Sequence, residues 1–126
     1  MNDKTSIKTI KMVQGIGQTI DWNTKENKKL VEAFLTLKST DEAQLFLRDI
    51  MTKGEIEEFA NRLKAASLLS QDVQYSTIIK RTGLSSTTIA RTAKWLKGSL
   101  GGYRLVLSRL NHHNSSKLRK GLILSS

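Results

Sequence analysis

No cysteine occurs among the 126 residues. That excludes disulfides, thiolate metal sites and cysteine nucleophiles, and it suits a reducing compartment. Proline is absent too, so no helix is interrupted by a residue that lacks an amide proton. An all-α chain is favoured. Aromatic residues make up only 6%, so a core has to be built mainly from Leu, Ile and Ala. No stretch approaches the ~20 apolar residues that a membrane-spanning helix needs. The first twenty residues alternate polar and apolar groups and carry no apolar run of the signal-peptide kind. A soluble, cytoplasmic protein with no membrane partner is expected.

The most telling absence is of acid in the second half. Asp72 is the last acidic residue. Residues 1–72 balance 11 basic against 11 acidic side chains, whereas residues 73–126 hold 10 basic and none acidic. A solvated surface normally mixes signs, so an unmixed cationic half points to an anionic partner. A basic tail without a target is the plainer reading. However, only Lys117, Arg119 and Lys120 fall in the last ten residues; most of the charge lies on segments expected to be structured.

What is present reads as a series of helices. Residues 1–22 form a flexible basic arm, 23–113 a helical domain and 114–126 a flexible basic tail. A first helix over about 24–37 places Leu30, Val31, Phe34 and Leu37 on one stripe. Ser39 with Glu42 matches a capping box and opens a helix carrying Ala43, Phe46, Leu47 and Ile50 inward. Thr52 with Glu55 repeats the pattern and opens a third helix, which presents Ile56, Phe59, Ala60, Leu63, Ala66 and Leu69. A short helix over 75–82 follows, then Gly83 where a tight turn needs positive φ. Ser85 caps the next helix, which buries Ile89, Ala93 and Leu96 and ends near Gly98. After Gly101–Gly102 a last helix runs from about Tyr103 to His112, with Val106, Leu107 and Leu110 on one side.

The segment 74–97 has the spacing of a helix-turn-helix: Ile78 buried, Gly83 in the turn, Leu84 over the corner, Ile89 buried. Such a motif frees the front of its second helix to enter the major groove of duplex DNA. The exposed residues there are Ser85, Ser86, Thr87, Thr88 and Arg91, able to meet base edges. Lys80, Arg81, Lys94 and Lys97 flank them and are placed to meet phosphates. Ile79 stands where such motifs usually keep a small residue for close helix approach.

These residues also carry a family likeness. Thr52-x-x-Glu55, Ala60-Asn61-Arg62-Leu63, Leu68-Leu69, Ile78, Thr82-Gly83-Leu84, Thr87-Thr88-Ile89-Ala90-Arg91 and the run Gly101 to Leu105 resemble the tryptophan repressor family. The likeness is greatest to its YerC/YecD-type bacterial proteins, and it covers about two thirds of the chain. It implies an all-α, multi-helix fold and an intertwined homodimer. Two reading heads would then meet successive major grooves ~34 Å apart, a spacing taken from helix-turn-helix dimers in general. It also implies a bacterial, nucleoid-associated transcriptional regulator, a repressor that occupies an operator.

In the family's founding member an indole lies between two arginines beside the reading helix, and its amino group meets a small residue. By position, Thr52, Arg62 and Arg91 match that pocket, while Thr92 replaces a glycine and Trp95 replaces a serine. An indole side chain at 95 fills or blocks the space, so the pocket is vestigial and no tryptophan cofactor is expected. Trp95 either stands in for the ligand or, more simply, is a core aromatic at the helix end. No other effector is identifiable.

The remaining chemistry is bland. His112 and His113 are adjacent on a helix and point apart, with no third ligand, so no metal is expected. Glu55 has a capping role, and Glu57 and Glu58 fit a charged helix face near its positive end. Arg62 suits a salt bridge to such an acid as well as it suits a ligand. Nothing resembles a nucleophile triad or a phosphate loop, and an enzyme is not expected. Two other classes stay open: an RNA-binding accessory protein, and a protein–protein module with a degenerate helix-turn-helix.

Overall fold

A computed structural model describes residues 19–125, with side chains from 19 to 113. Among them are six helices and no strand: α1 Lys25–Leu35, α2 Thr40–Ile50, α3 Lys53–Ser70, α4 Tyr75–Thr82, α5 Ser86–Lys97 and α6 Gly102–Ser125. Most of the expected arm lies outside the described residues. The chain divides into two compact units, residues 1–56 and 57–126.

In the first unit the helix starts are set by local hydrogen bonding. The Thr24 side chain accepts the Asn27 N–H and caps α1, and Ser39 accepts the Glu42 N–H and caps α2. Glu42 reaches back to the Lys38 N–H at 3.0 Å, one residue before the cap. The Thr52–Glu55 box is fully reciprocal: the Thr52 Oγ1 accepts the Glu55 N–H at 3.1 Å, and the Glu55 Oε1 accepts the Thr52 N–H at 3.0 Å. The Thr52 backbone N–H first, and the Thr52 side chain second, favour the charged carboxylate and hold the Glu55 carboxyl below its ordinary value. Phe34 and Phe46 meet edge to face, with centroids 5.3 Å apart. Yet neither α1 nor α2 contains a buried residue. Leu30, Val31 and Phe34, expected to face inward, are about 40% exposed.

The second unit holds the core. Ala65 and Leu68 of α3 pack with Ile78 of α4 and Ile89 of α5, and Leu69, Val73 and Leu84 close around them. Ala66, Leu96 and Leu107 form a second cluster with Leu63, Leu69 and Tyr103. Thus α3 carries two adjoining buried faces, and Ala65 and Leu68 belong to the one that single-stripe periodicity overlooks. Phe59 and Ala60, read as inward, are exposed.

Helix α3 ends in a Schellman turn. The Val73 N–H donates to the Leu68 carbonyl, the Asp72 N–H donates to the Leu69 carbonyl, and Asp72 has φ +60°. Val73 then packs against the cluster containing Leu68, which is the apolar contact this motif brings.

The last helix differs from expectation. It continues past His112 to Ser125, through the stretch read as a flexible tail. The physical reason lies in the residues. Between Tyr103 and Lys120 there is neither glycine nor proline, so nothing there stops a helix once begun.

Candidate nucleic-acid interface

The two short helices α4 and α5 are joined by Gly83, Leu84 and Ser85. Gly83 ends α4 with φ +72°, its N–H donating to the Ile79 carbonyl at 2.8 Å. A Cβ at this position would meet no atom within 4 Å, so the backbone angle alone asks for glycine. Thr82 fastens the turn from inside. Its hydroxyl donates to the Ile78 carbonyl at 2.7 Å and accepts the Leu84 N–H at 3.2 Å. Leu84 packs on the core below. Lys64 of α3 donates to the Arg81 carbonyl at 3.4 Å, placing a cation at the negative end of α4. Ile79 does not wedge the helices apart: it is exposed while Ile78 is fully buried.

Ser85 caps α5 with extended torsions (φ −69°, ψ 156°), and its oxygen accepts the Thr88 N–H at 3.1 Å. Its own hydroxyl proton goes to the Thr88 Oγ1 at 3.0 Å. Ser85 and Thr88 are therefore bound to each other at the helix mouth, with Thr88 half-buried and its own proton still to give. Ser86, Thr87 and Arg91 stand fully outward. On the inner side Ile89, Thr92, Ala93 and Leu96 are buried. Ser85, Ser86, Thr87, Thr88 and Arg91 thus gather at the cap and in the first two turns of one helix.

The cations on these helices are uncompensated. Lys80 and Arg81 lie in the last turn of α4, and Lys94 and Lys97 in the last turn of α5. All four, and Arg91, are exposed. Among the described residues none of the five forms an ion pair. The recorded pairs lie elsewhere, Lys29 with Glu32 on α1 and Arg62 with Glu58 on α3.

The residues matched by position to the corepressor pocket each have their own partners or surroundings. Thr52 is engaged in the α3 capping box. Arg62 makes the salt bridge to Glu58 at 3.2 Å and stacks on Phe59 with its Cζ 5.5 Å from the ring centroid; its Nε is buried without a hydrogen-bond partner. Thr92 is only 3% exposed, its hydroxyl donating back to the Thr88 carbonyl at 2.8 Å. Trp95 and Arg62 line one open groove of about 540 Å³ together with Leu63, Leu100, Tyr103 and Val106. Arg91 is not part of its lining. The described residues contain no group of three or more His, Cys, Asp or Glu side chains placed to hold a metal, and His112 and His113 are exposed. No described helix is long and apolar enough to cross a membrane.

Comparison with known proteins agrees with this geometry. Residues 25–111 match the model of the family described as Trp repressor protein. A Bacillus subtilis relative, the uncharacterized protein YerC, is 31% identical over 96 residues, which span 76% of this chain and 92% of that protein. A crystal structure of a TrpR-like protein from Eubacterium eligens superposes with a TM-score of 0.67 at 35% identity, covering 71% of this chain and 93% of that one. The matched stretch contains the capped α3, the glycine turn and the whole of α5, so the architecture built above from hydrogen bonds and burial is that of a known group: the chain belongs to the Trp repressor family.

Proposed function

We propose that this protein is a sequence-specific regulator that binds duplex DNA, a repressor acting by occupation of an operator. The observation that carries the reading is the surface of α4 and α5. A capped helix presents hydrogen-bonding side chains at its front end, beside five exposed cations that form no ion pair among the described residues. Ser86, Thr87 and Arg91, with Ser85 and Thr88 at the cap, read base edges in the major groove. Lys80, Arg81, Lys94 and Lys97 meet phosphates on either side.

The protein works as a homodimer in this reading. The apolar stripe of α1, with Phe34 39% exposed, is the kind of face that needs a second copy to cover it. Tryptophan is not a corepressor here. The glycine position that would admit an indole holds buried Thr92, and the ammonium position holds Trp95. Millimolar L-tryptophan should leave DNA affinity unchanged.

The test is a pair of variants assayed by fluorescence anisotropy on a panel of related duplexes. Thr87→Ala should change the ranking of the duplexes, because it removes a base-edge contact. Lys94→Ala should weaken all of them alike, because phosphates carry no sequence information. Equal losses from both variants on every duplex would defeat the assignment of roles.

A further inference from the structure

Arg104 occupies a place that helix electrostatics disfavours. It lies in the first turn of α6, where the unpaired amides make the helix end positive and where a cation costs stability. The residue is exposed, but its guanidinium folds back onto backbone carbonyls. One terminal nitrogen donates to the Leu96 carbonyl at 2.5 Å and to the Gly98 carbonyl at 2.7 Å. Leu96 is in the last turn of α5 and Gly98 is its C-cap. The charge repelled by the start of α6 is thus placed at the negative end of the reading helix.

One neighbouring residue lies directly against this contact. Gly101 has φ +74°, and a Cβ built there would lie 3.0 Å from the second terminal nitrogen of Arg104. Glycine at 101 therefore serves both the turn and the seat of the guanidinium. Gly98 is restricted for a separate reason, since a Cβ would stand 3.1 Å from the Lys94 carbonyl of its own helix. No acid exists between residue 73 and the end of the chain to draw Arg104 away. Among the described residues this end is also closed by a longer bond, from the Gly98 N–H to the Trp95 carbonyl at 3.3 Å.

We propose that Arg104 is a positioning residue for DNA reading: by holding the carbonyls of Leu96 and Gly98 it ties the C-terminal end of α5 to α6 and fixes the angle at which the front of α5 is presented. A twelve-residue helix is about 18 Å long. A small pivot at its rear therefore displaces Ser86 and Thr87 enough to spoil base-edge hydrogen bonds, while the flanking cations tolerate it. This rests on the DNA-reading function proposed above, so the experiment has one arm that does not involve DNA.

Trp22 and Trp95 are the only two tryptophans, so Trp22→Phe leaves Trp95, in the last turn of α5, as a reporter of the tie. In that background Arg104→Ala should shift Trp95 emission to longer wavelength and raise its accessibility to acrylamide, and Arg104→Lys should recover part of both. With duplex DNA, Arg104→Ala should weaken the preferred sequence about tenfold, near the lower end of the worth of one charge-assisted hydrogen bond. Scrambled duplex should bind as before, with the same salt dependence. Should Arg104→Ala melt below the assay temperature, the Arg104→Lys comparison carries the test, with a smaller loss confined to the preferred sequence. An unchanged Trp95 signal would overturn the tie. Unchanged preference for the chosen sequence would overturn the positioning role. A salt slope lowered by about 1.8, from both heads together, would make Arg104 a direct phosphate contact instead. If the parent protein prefers no sequence at all, the DNA reading fails, and the Trp95 comparison still decides the tie.

Discussion

Replacing Lys94 by alanine should flatten the salt dependence of DNA binding by an amount that can be worked out beforehand. Lys80, Arg81, Lys94 and Lys97 are exposed and form no ion pair among the described residues. Each is therefore free to neutralise one phosphate. Each phosphate neutralised contributes about −0.9 to the slope of log affinity against log salt, so two heads making roughly eight such contacts give a slope of about −7. Losing Lys94 from both heads removes about 1.8 of it. Between 50 and 200 mM salt the parent should then lose roughly twenty-thousandfold in affinity and the variant roughly two-thousandfold. Lys94 also sits in the last turn of α5, where a cation adds about 0.3–1 kcal/mol to stability, so the titrations belong well below the melting temperature. The assay is anisotropy of a labelled duplex over a salt series. Lys29→Ala is the control, because Lys29 lies on α1 at 3.5 Å from Glu32 and should leave the slope unaltered. Equal slopes for the parent and for alanine variants at all four lysine and arginine positions would refute the phosphate assignment.

Other expectations concern the scaffold. Ile89 is fully buried between α3 and α4 residues, so Ile89→Ala should cost about 2–5 kcal/mol and Ile89→Val about 0.5–1.5 kcal/mol in chemical denaturation; a loss below 0.5 kcal/mol for alanine would show that the site is not packed as described. Asp72 carries a negative charge and φ +60° at the C-terminal end of α3. Asp72→Asn keeps the tolerance for that angle and removes the charge from the negative helix end, and should stabilise by about 0.3–1 kcal/mol; a lowered melting temperature would contradict this. The Glu55 carboxyl is held below its ordinary 4.5 by its bonds to Thr52. Its contribution is complete above the unfolded value and is lost as pH falls through the lower folded value. The stability gap between the parent and Glu55→Gln should therefore close on acidification below about pH 4.5, and a gap independent of pH would count against the capping box.

How much of this could be read from the residues depends on where the determining interaction lies. The starts of α2, α3 and α5 were legible because Ser39, Thr52 and Ser85 cap through bonds three residues ahead. The end of α4 was legible because Gly83 takes an angle that other residues resist. Apolar spacing told which face of α1 is greasy but not what covers it, so Leu30, Val31 and Phe34 were read as inward and stand exposed. The tie from Arg104 to the end of α5 spans eight residues and has no local signature. The part Thr82 plays, with its hydroxyl bridging the turn from the Ile78 carbonyl to the Leu84 N–H, has no signal in apolar spacing. Likewise the length of α6 could not be judged, because polar residues such as Asn111 and Asn114 neither stop a helix nor demand one.

The central claim is that the front of α5 reads DNA sequence. Selection from a random duplex library with the purified protein, run at low and at physiological salt, tests it most directly. A two-fold symmetric motif that remains enriched at physiological salt is the predicted result, with half-sites about one helical turn apart. Binding that enriches no motif and disappears with salt would contradict the claim, leaving only an unpaired basic surface.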